Sequence, residues 1–181
     1  GLKRALGVRW VADFRDPWTG IDYYQQLSLT RWADARHRRM EREVLAGADR
    51  VVTVSWRWSK ELEALGAQDV AVVTNGYDAA DLPRTPVPVD EECSLVHAGS
   101  MSPTRDQPGL WKLLAGLCAE DPGFAARFRL RFVGPVDASV IASVNAAGLG
   151  AHVERLGRLP RAEAMREIAR ARVLLLPINT T

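Results

Sequence analysis

The chain is poor in the residues that build several classes of site. Of its 181 residues, two are cysteines and three are histidines. Cys93 and Cys118 lie far apart with no metal-ligand spacing. A disulfide framework and a thiolate zinc site are therefore excluded, and both read as buried free thiols, which fits a reducing cytoplasm. No His/Asp/Glu cluster has metal-ligand spacing either. No apolar run approaches the length of a membrane span, and Gly1-Leu2-Lys3-Arg4 has no signal-peptide core behind it. A net charge of only +2 is no nucleic-acid footprint. Internal repeats and low-complexity tracts are missing.

What remains is an ordinary globular composition, 47% apolar, with a regular pattern. Short β-branched or apolar runs predict strands at 8–14, 51–55, 70–74, 95–98, 129–133, 152–156 and 173–176. Helical periods fall between them at 29–45, 59–65, 109–119, 138–147 and 160–171. Ser59 is expected to cap the second helix and Gly66 to close it. Strand–helix alternation with short connections predicts an α/β protein with parallel sheets and right-handed crossovers. Asp78 to Glu92 breaks the pattern. It holds Pro83, Pro86, Pro88 and five acids, and reads as an interdomain linker. A strand stands close to each end of the chain, which suggests part of a longer protein.

The most informative stretch is Leu95-Val96-His97-Ala98-Gly99-Ser100-Met101-Ser102-Pro103-Thr104-Arg105. A buried strand runs into a small-residue loop, and Pro108-Gly109 then opens a helix. Strand, small-residue loop and helix together offer backbone N–H groups and a partial positive charge to a phosphate, and Arg105 adds a full charge. Gly134 and Gly157 also stand just after strands, on the edge where open α/β sheets bind ligands. Asp13-Phe14-Arg15-Asp16-Pro17-Trp18 follows the first strand. It reads either as lining a site or as an Asp–Arg pair fixing a loop over a core tryptophan. His97 reads as a hydrogen-bonded core histidine and His37 as exposed. The 29–45 helix buries Leu29, Trp32, Ala33, Met40, Val44 and Leu45 on this reading. Its other face carries Arg31, Arg36, Arg38, Arg39 and Arg42, interrupted by Asp34, Glu41 and Glu43. That face suits an anionic membrane or plain solvent.

Five stretches in this order and spacing resemble glycosyltransferase family 4. They are Asp13-Phe14-Arg15-Asp16-Pro17-Trp18, Ala48-Asp49-Arg50-Val51-Val52-Thr53-Val54-Ser55, Val72-Val73-Thr74-Asn75-Gly76-Tyr77-Asp78, His97-Ala98-Gly99-Ser100 and Phe132-Val133-Gly134. The resemblance implies the two-lobed GT-B architecture of Rossmann-like domains, present here as a fragment. Residues 1–82 would be the end of the acceptor-side domain, 83–89 the linker, and 90–181 the start of the donor-binding domain. It also implies transfer of a sugar from a nucleotide-sugar donor to a glycan or lipid-linked acceptor with retention, in cell-envelope polysaccharide biosynthesis. The setting would be a bacterial cytoplasm, at the inner face of the membrane, with no nucleic-acid partner, no cofactor and no metal requirement.

By the same resemblance, Gly99, Ser100 and Arg105 bind the donor diphosphate. Gly134, Pro135, Gly157 and Arg158 bind the nucleotide, and Asp13, Arg15, Asp16, Trp18, Asn75 and Gly76 line the cleft. Three departures stand out. The family's acidic donor-sugar motif would follow the last strand, past Thr181, the Gly-rich loop near the start of the family's first domain is absent, and Ser100 stands where an Arg is frequent. Two other readings fit the same pattern: a nucleotide-sugar epimerase of this architecture, and a non-enzymatic binding module.

Overall fold

Each strand expected from the β-branched and apolar runs forms, and all pair in parallel. The computed structural model describes residues 2–178. They divide into two units, Gly1–Gly76 and Tyr77–Thr181, a division that falls earlier than residue 82. Among the described residues, no helix is long and apolar enough to cross a membrane.

In the first unit, α1 (Leu2–Leu6) precedes β1 (Val11–Phe14), α2 (Arg31–Gly47), β2 (Arg50–Thr53), α3 (Trp56–Ala64) and β3 (Val70–Val72). The sheet order is β1-β2-β3. Two right-handed crossovers in the same direction put α2 and α3 on one face. Accordingly Leu45 and Leu62 share a core with Ala12, Phe14, Val51 and Ala67. Thr30 caps α2, its hydroxyl accepting from the Ala33 N–H at 3.2 Å.

Four expectations here need correction. Trp32 is 70% and Met40 36% exposed, so the buried stripe of α2 matches the expected one at Val44 and Leu45 and departs from it at those two positions. One turn before Val44 and Leu45 it runs through Glu41, and one turn earlier through His37. Glu41, expected on the solvated face, is 1% exposed. Its carboxylate accepts from the Thr19 N–H at 3.0 Å and from the Thr19 hydroxyl, fixing the loop after β1. His37, expected to be exposed, is half-buried and accepts from Trp18 Nε1 at 3.3 Å. Finally, α3 starts after Ser55 rather than at Ser59, because β2 ends at Thr53 and Ser55 is still extended.

In the second unit, β4 (Cys93–Ala98), α4 (Pro108–Glu120), α5 (Pro122–Arg127), β5 (Phe128–Val133), α6 (Ala138–Ala146), β6 (Val153–Gly157), α7 (Arg161–Arg170) and β7 (Val173–Leu174) build a sheet of order β6-β5-β4-β7. The chain steps outward through β4, β5 and β6, then returns to the other side of β4. The switch point of this doubly wound sheet thus lies between β4 and β7. Handedness puts α4 and α6 on one face and α7 on the other. Alternation along β5 agrees. Phe128, Leu130 and Phe132 meet Trp111, Leu114, Val140 and Val144 in the core, while Arg131 faces Glu167 of α7 at 3.3 Å. Cys93 and Cys118, expected buried, are both partly exposed.

Arg131 is 4% exposed and anchors a buried charge cluster. It reaches Asp90 at 2.9 Å and Glu154 at 2.7 Å. Arg170 also bonds the Asp90 carboxylate, and Arg172 Nε donates to the Asp90 carbonyl at 2.6 Å. Nine residues earlier in the chain, Asp81 is gripped by Arg161, whose Nε lies 2.6 Å away. Asp81 and Asp90 therefore hold the proline-bearing stretch against the two ends of α7.

Burial opposes charge on Asp90, but hydrogen bonds from Ser94, Arg170 and Arg131 outweigh it and hold its carboxyl below the ordinary range. Its contribution to stability is thus present above the unfolded carboxylate pKa and lost as pH falls through the folded value. Asp90→Ala leaves a buried guanidinium short of a partner. It should cost about 3 kcal/mol, the low end for such a loss, because Glu154 and Glu167 remain. Urea unfolding of the variant checks this; a cost below about 1 kcal/mol would contradict it.

Candidate functional site

Three glycines end the strands of the second sheet at its carboxyl edge. Gly99 after β4, Gly134 after β5 and Gly157 ending β6 have φ of 138°, 129° and 65°. These conformations are costly for any residue with a Cβ. They let the exits stay paired after the regular ladders stop. Gly99 N–H donates to the Val133 carbonyl at 2.8 Å, Met101 N–H to Pro135 at 2.9 Å, and Gly134 N–H to Gly157 at 2.7 Å. At Gly134 the demand is also steric: a Cβ would stand 2.3 Å from the Gly99 carbonyl oxygen. At Gly99 there is room, the nearest atom being His97 Nε2 at 3.7 Å from a Cβ position.

The pairing refines the phosphate-loop expectation. The Gly99 and Met101 N–H groups are spent on β5 and its exit. The Ser100 N–H between them has no acceptor among the described residues. Arg105 folds back over the bend, its Nη1 3.3 Å from the Ser100 carbonyl oxygen. Asp106 holds the loop to α4, accepting from the Gln107 N–H at 2.9 Å and from Nε1 of fully buried Trp111 at 2.7 Å. Sequence reasoning gave Asp106 no role. Its place two residues before Pro108 is the signal that such a carboxylate fixes a helix entry.

Beside these exits lies a cavity of about 480 Å³ lined by Gly134, Pro135, Val136, Arg155 and Gly157. Three of the expected nucleotide residues meet there. The fourth, Arg158, is exposed one residue further on and is not among those lining the cavity. Arg155 lines it instead. No sequence signal marks it, because counting by twos from Val153, which packs on the core, puts Arg155 on the core face.

His97 is 3% exposed. Its Nδ1 donates to the Leu175 carbonyl at 3.1 Å, bridging β4 to the residue after β7, and its ring meets Phe132 edge-on at 6.5 Å. Nε2 is buried with no partner among the described residues.

The first sheet has its own carboxyl edge. Arg15 after β1 donates to Asn75 Oδ1 at 3.2 Å, across the end of β2. Asp13, Asp16 and Gly76 are exposed there, and the Asp–Arg pair considered from sequence gives way to this Arg–Asn bond. Trp18 turns inward onto the first core. Trp56, the first residue of α3, is an exposed aromatic at this edge, at 72%.

No protein-family model matches the chain, and no curated protein sequence matches it. Solved structures do. Sucrose-phosphate synthase from Thermosynechococcus elongatus superposes with a TM-score of 0.64 at 16% identity, over 96% of this chain and 45% of that one. S. aureus TarM, in a complex with Fondaparinux, alpha-GlcNAc-glycerol and UDP, gives 0.58 at 10% identity over 77% and 27%. A further TarM structure gives 0.58 at 11% over 82% and 28%. The chain spans less than half the length of these structures. Its fold is that of the corresponding part of GT-B glycosyltransferases.

The contact between the two exits gives a prediction. Gly134→Ala meets both strain and a backbone clash, and should lose at least about 3 kcal/mol. Gly99→Ala meets strain alone and should lose about 1–2 kcal/mol. Thermal unfolding of both variants checks the order; equal losses would contradict the steric argument.

Proposed function

We propose that this chain is part of a retaining glycosyltransferase of family 4, moving a sugar from a nucleotide-sugar donor to a glycan or lipid-linked acceptor. The observation that carries the reading is the paired glycine exits beside an arginine-lined cavity at the carboxyl edge of a doubly wound sheet. Such an edge is where α/β folds take nucleotides, and the likeness to glycosyltransferase structures points the same way.

In this reading the diphosphate rests on the Ser100 N–H, with Gly99 giving it close approach and Arg105 neutralising it. Protein donors fixed before the reaction stabilise the departing charge without reorganising, so the proposal calls for no metal ion. The nucleotide occupies the cavity over Gly134, Pro135 and Gly157, with Arg155 along its side and Arg158 reaching the base from the loop. Asp13, Arg15, Asp16, Asn75 and Gly76 serve the acceptor side, and Trp18 packs their loop. The polar face of α2, with exposed Trp32 under Arg36, is read as a peripheral contact to the cytoplasmic face of a bacterial membrane. The setting is cell-envelope polysaccharide synthesis.

Arg105→Ala in the full-length protein should lower donor turnover at least about tenfold, the worth of one charge-assisted hydrogen bond. Arg105→Lys should recover part of it, since a point charge replaces a forked one. Donor KM and kcat unchanged in Arg105→Ala would remove Arg105 from the site.

A further inference from the structure

The bend from Gly99 to Arg105 carries a single cationic side chain, whereas a nucleoside diphosphate carries more than one negative charge. Directly beneath the bend lies a titratable ring whose outer nitrogen has no assigned work. The His97 Nδ1–H is committed to the Leu175 carbonyl, 3.1 Å away. That bond fixes the tautomer and leaves Nε2 with its lone pair. Nε2 is buried without a partner among the described residues, and it lies 3.7 Å from where a Cβ on Gly99 would stand.

Resting on the reading of this loop as a diphosphate site, we propose that His97 takes up a proton at Nε2 when the diphosphate binds. It thereby becomes the second cation of the site. The proton comes from solvent, and no covalent bond is made or broken. A buried cation is tolerated only with a counter-ion, and the diphosphate is that counter-ion. The proton also turns an orphaned acceptor into a donor 3.7 Å from the Cβ position of Gly99.

The neighbouring charges agree. Asp106, on the loop after β4, is spent on Gln107 and Trp111. Asp137, after β5, is spent on capping α6 through Ser139. On β5 itself, Arg129 and Arg131 lie on the opposite face from Phe132. Lys112 and Glu120 on α4, Arg105 on the loop and Arg172 before β7 are the other charged side chains on these elements, and Arg172 is held by Asp90. No carboxylate on these elements is bonded to the imidazole.

Nitrogen-15 spectra of histidine-labelled chain, with and without uridine diphosphate, test this. Three histidines give three rings to follow. His97→Gln assigns the signal; should that variant not fold, His37→Gln and His152→Gln assign it by elimination. At saturation near neutral pH, Nε2 of His97 should move from the lone-pair range to the protonated range while His37 and His152 stay put. Affinity should fall as pH rises, approaching about tenfold per pH unit where uptake is complete. Saturation with Nε2 still unprotonated would overturn the proposal and leave the loop reading standing. Failure of both uridine and guanosine diphosphate to bind would overturn both.

Discussion

The closest constraint in the second unit is the approach of one strand exit to another. The Cα of Gly134 passes so near the Gly99 carbonyl that a methyl group there would stand 2.3 Å from oxygen. That approach lets β4 and β5 continue their pairing through Met101 and Pro135 after the regular ladder ends. Several features of the site follow. The bend at Ser100 is held from both sides, Arg105 closes over it, and the two exit glycines Gly134 and Gly157 line the cavity together with Pro135, Val136 and Arg155. A side chain at Gly134 would push the exits apart and with them the geometry that a phosphate would meet.

The opposite end of the same sheet carries the compensating rigidity. There Arg131, Asp90, Glu154 and Arg170 form a buried ionic cluster, and Asp90 also fixes the entry of the chain into β4. Charges removed from water stabilise only when every member is paired. The cluster specifies how the segment before β4 lies rather than adding large net stability. With Asp81 on Arg161 it holds ten residues to α7 that composition alone described as a linker.

The parts legible in the sequence were those governed by local physics. The β-branched runs and the glycines after them located the strands, their exits and the parallel sheets. Other features depend on partners distant in the chain. Asp81 and Asp90 looked like solvated acids in a proline-rich stretch because their arginines lie 80 residues away. Glu41 looked like a break in a basic face because its partner, Thr19, sits on a loop whose path sequence does not give. The short α5 was missed, although Asp121 before Pro122 is a cap followed by an N1 proline. At the site, Gly99, Gly134 and Gly157 were readable as glycines after strands. Arg155 was not, because its exposure depends on where the neighbouring exits leave a cavity.

The central claim is that the paired glycine exits hold a diphosphate. It is tested most directly by recording backbone amide spectra of the chain while titrating uridine diphosphate. Saturable shifts should concentrate at Gly99, Ser100 and Arg105 and at Gly134, Val136 and Gly157, with the Ser100 amide among the largest. Shifts confined to other surfaces, or a Ser100 amide that does not move at saturation, would contradict it.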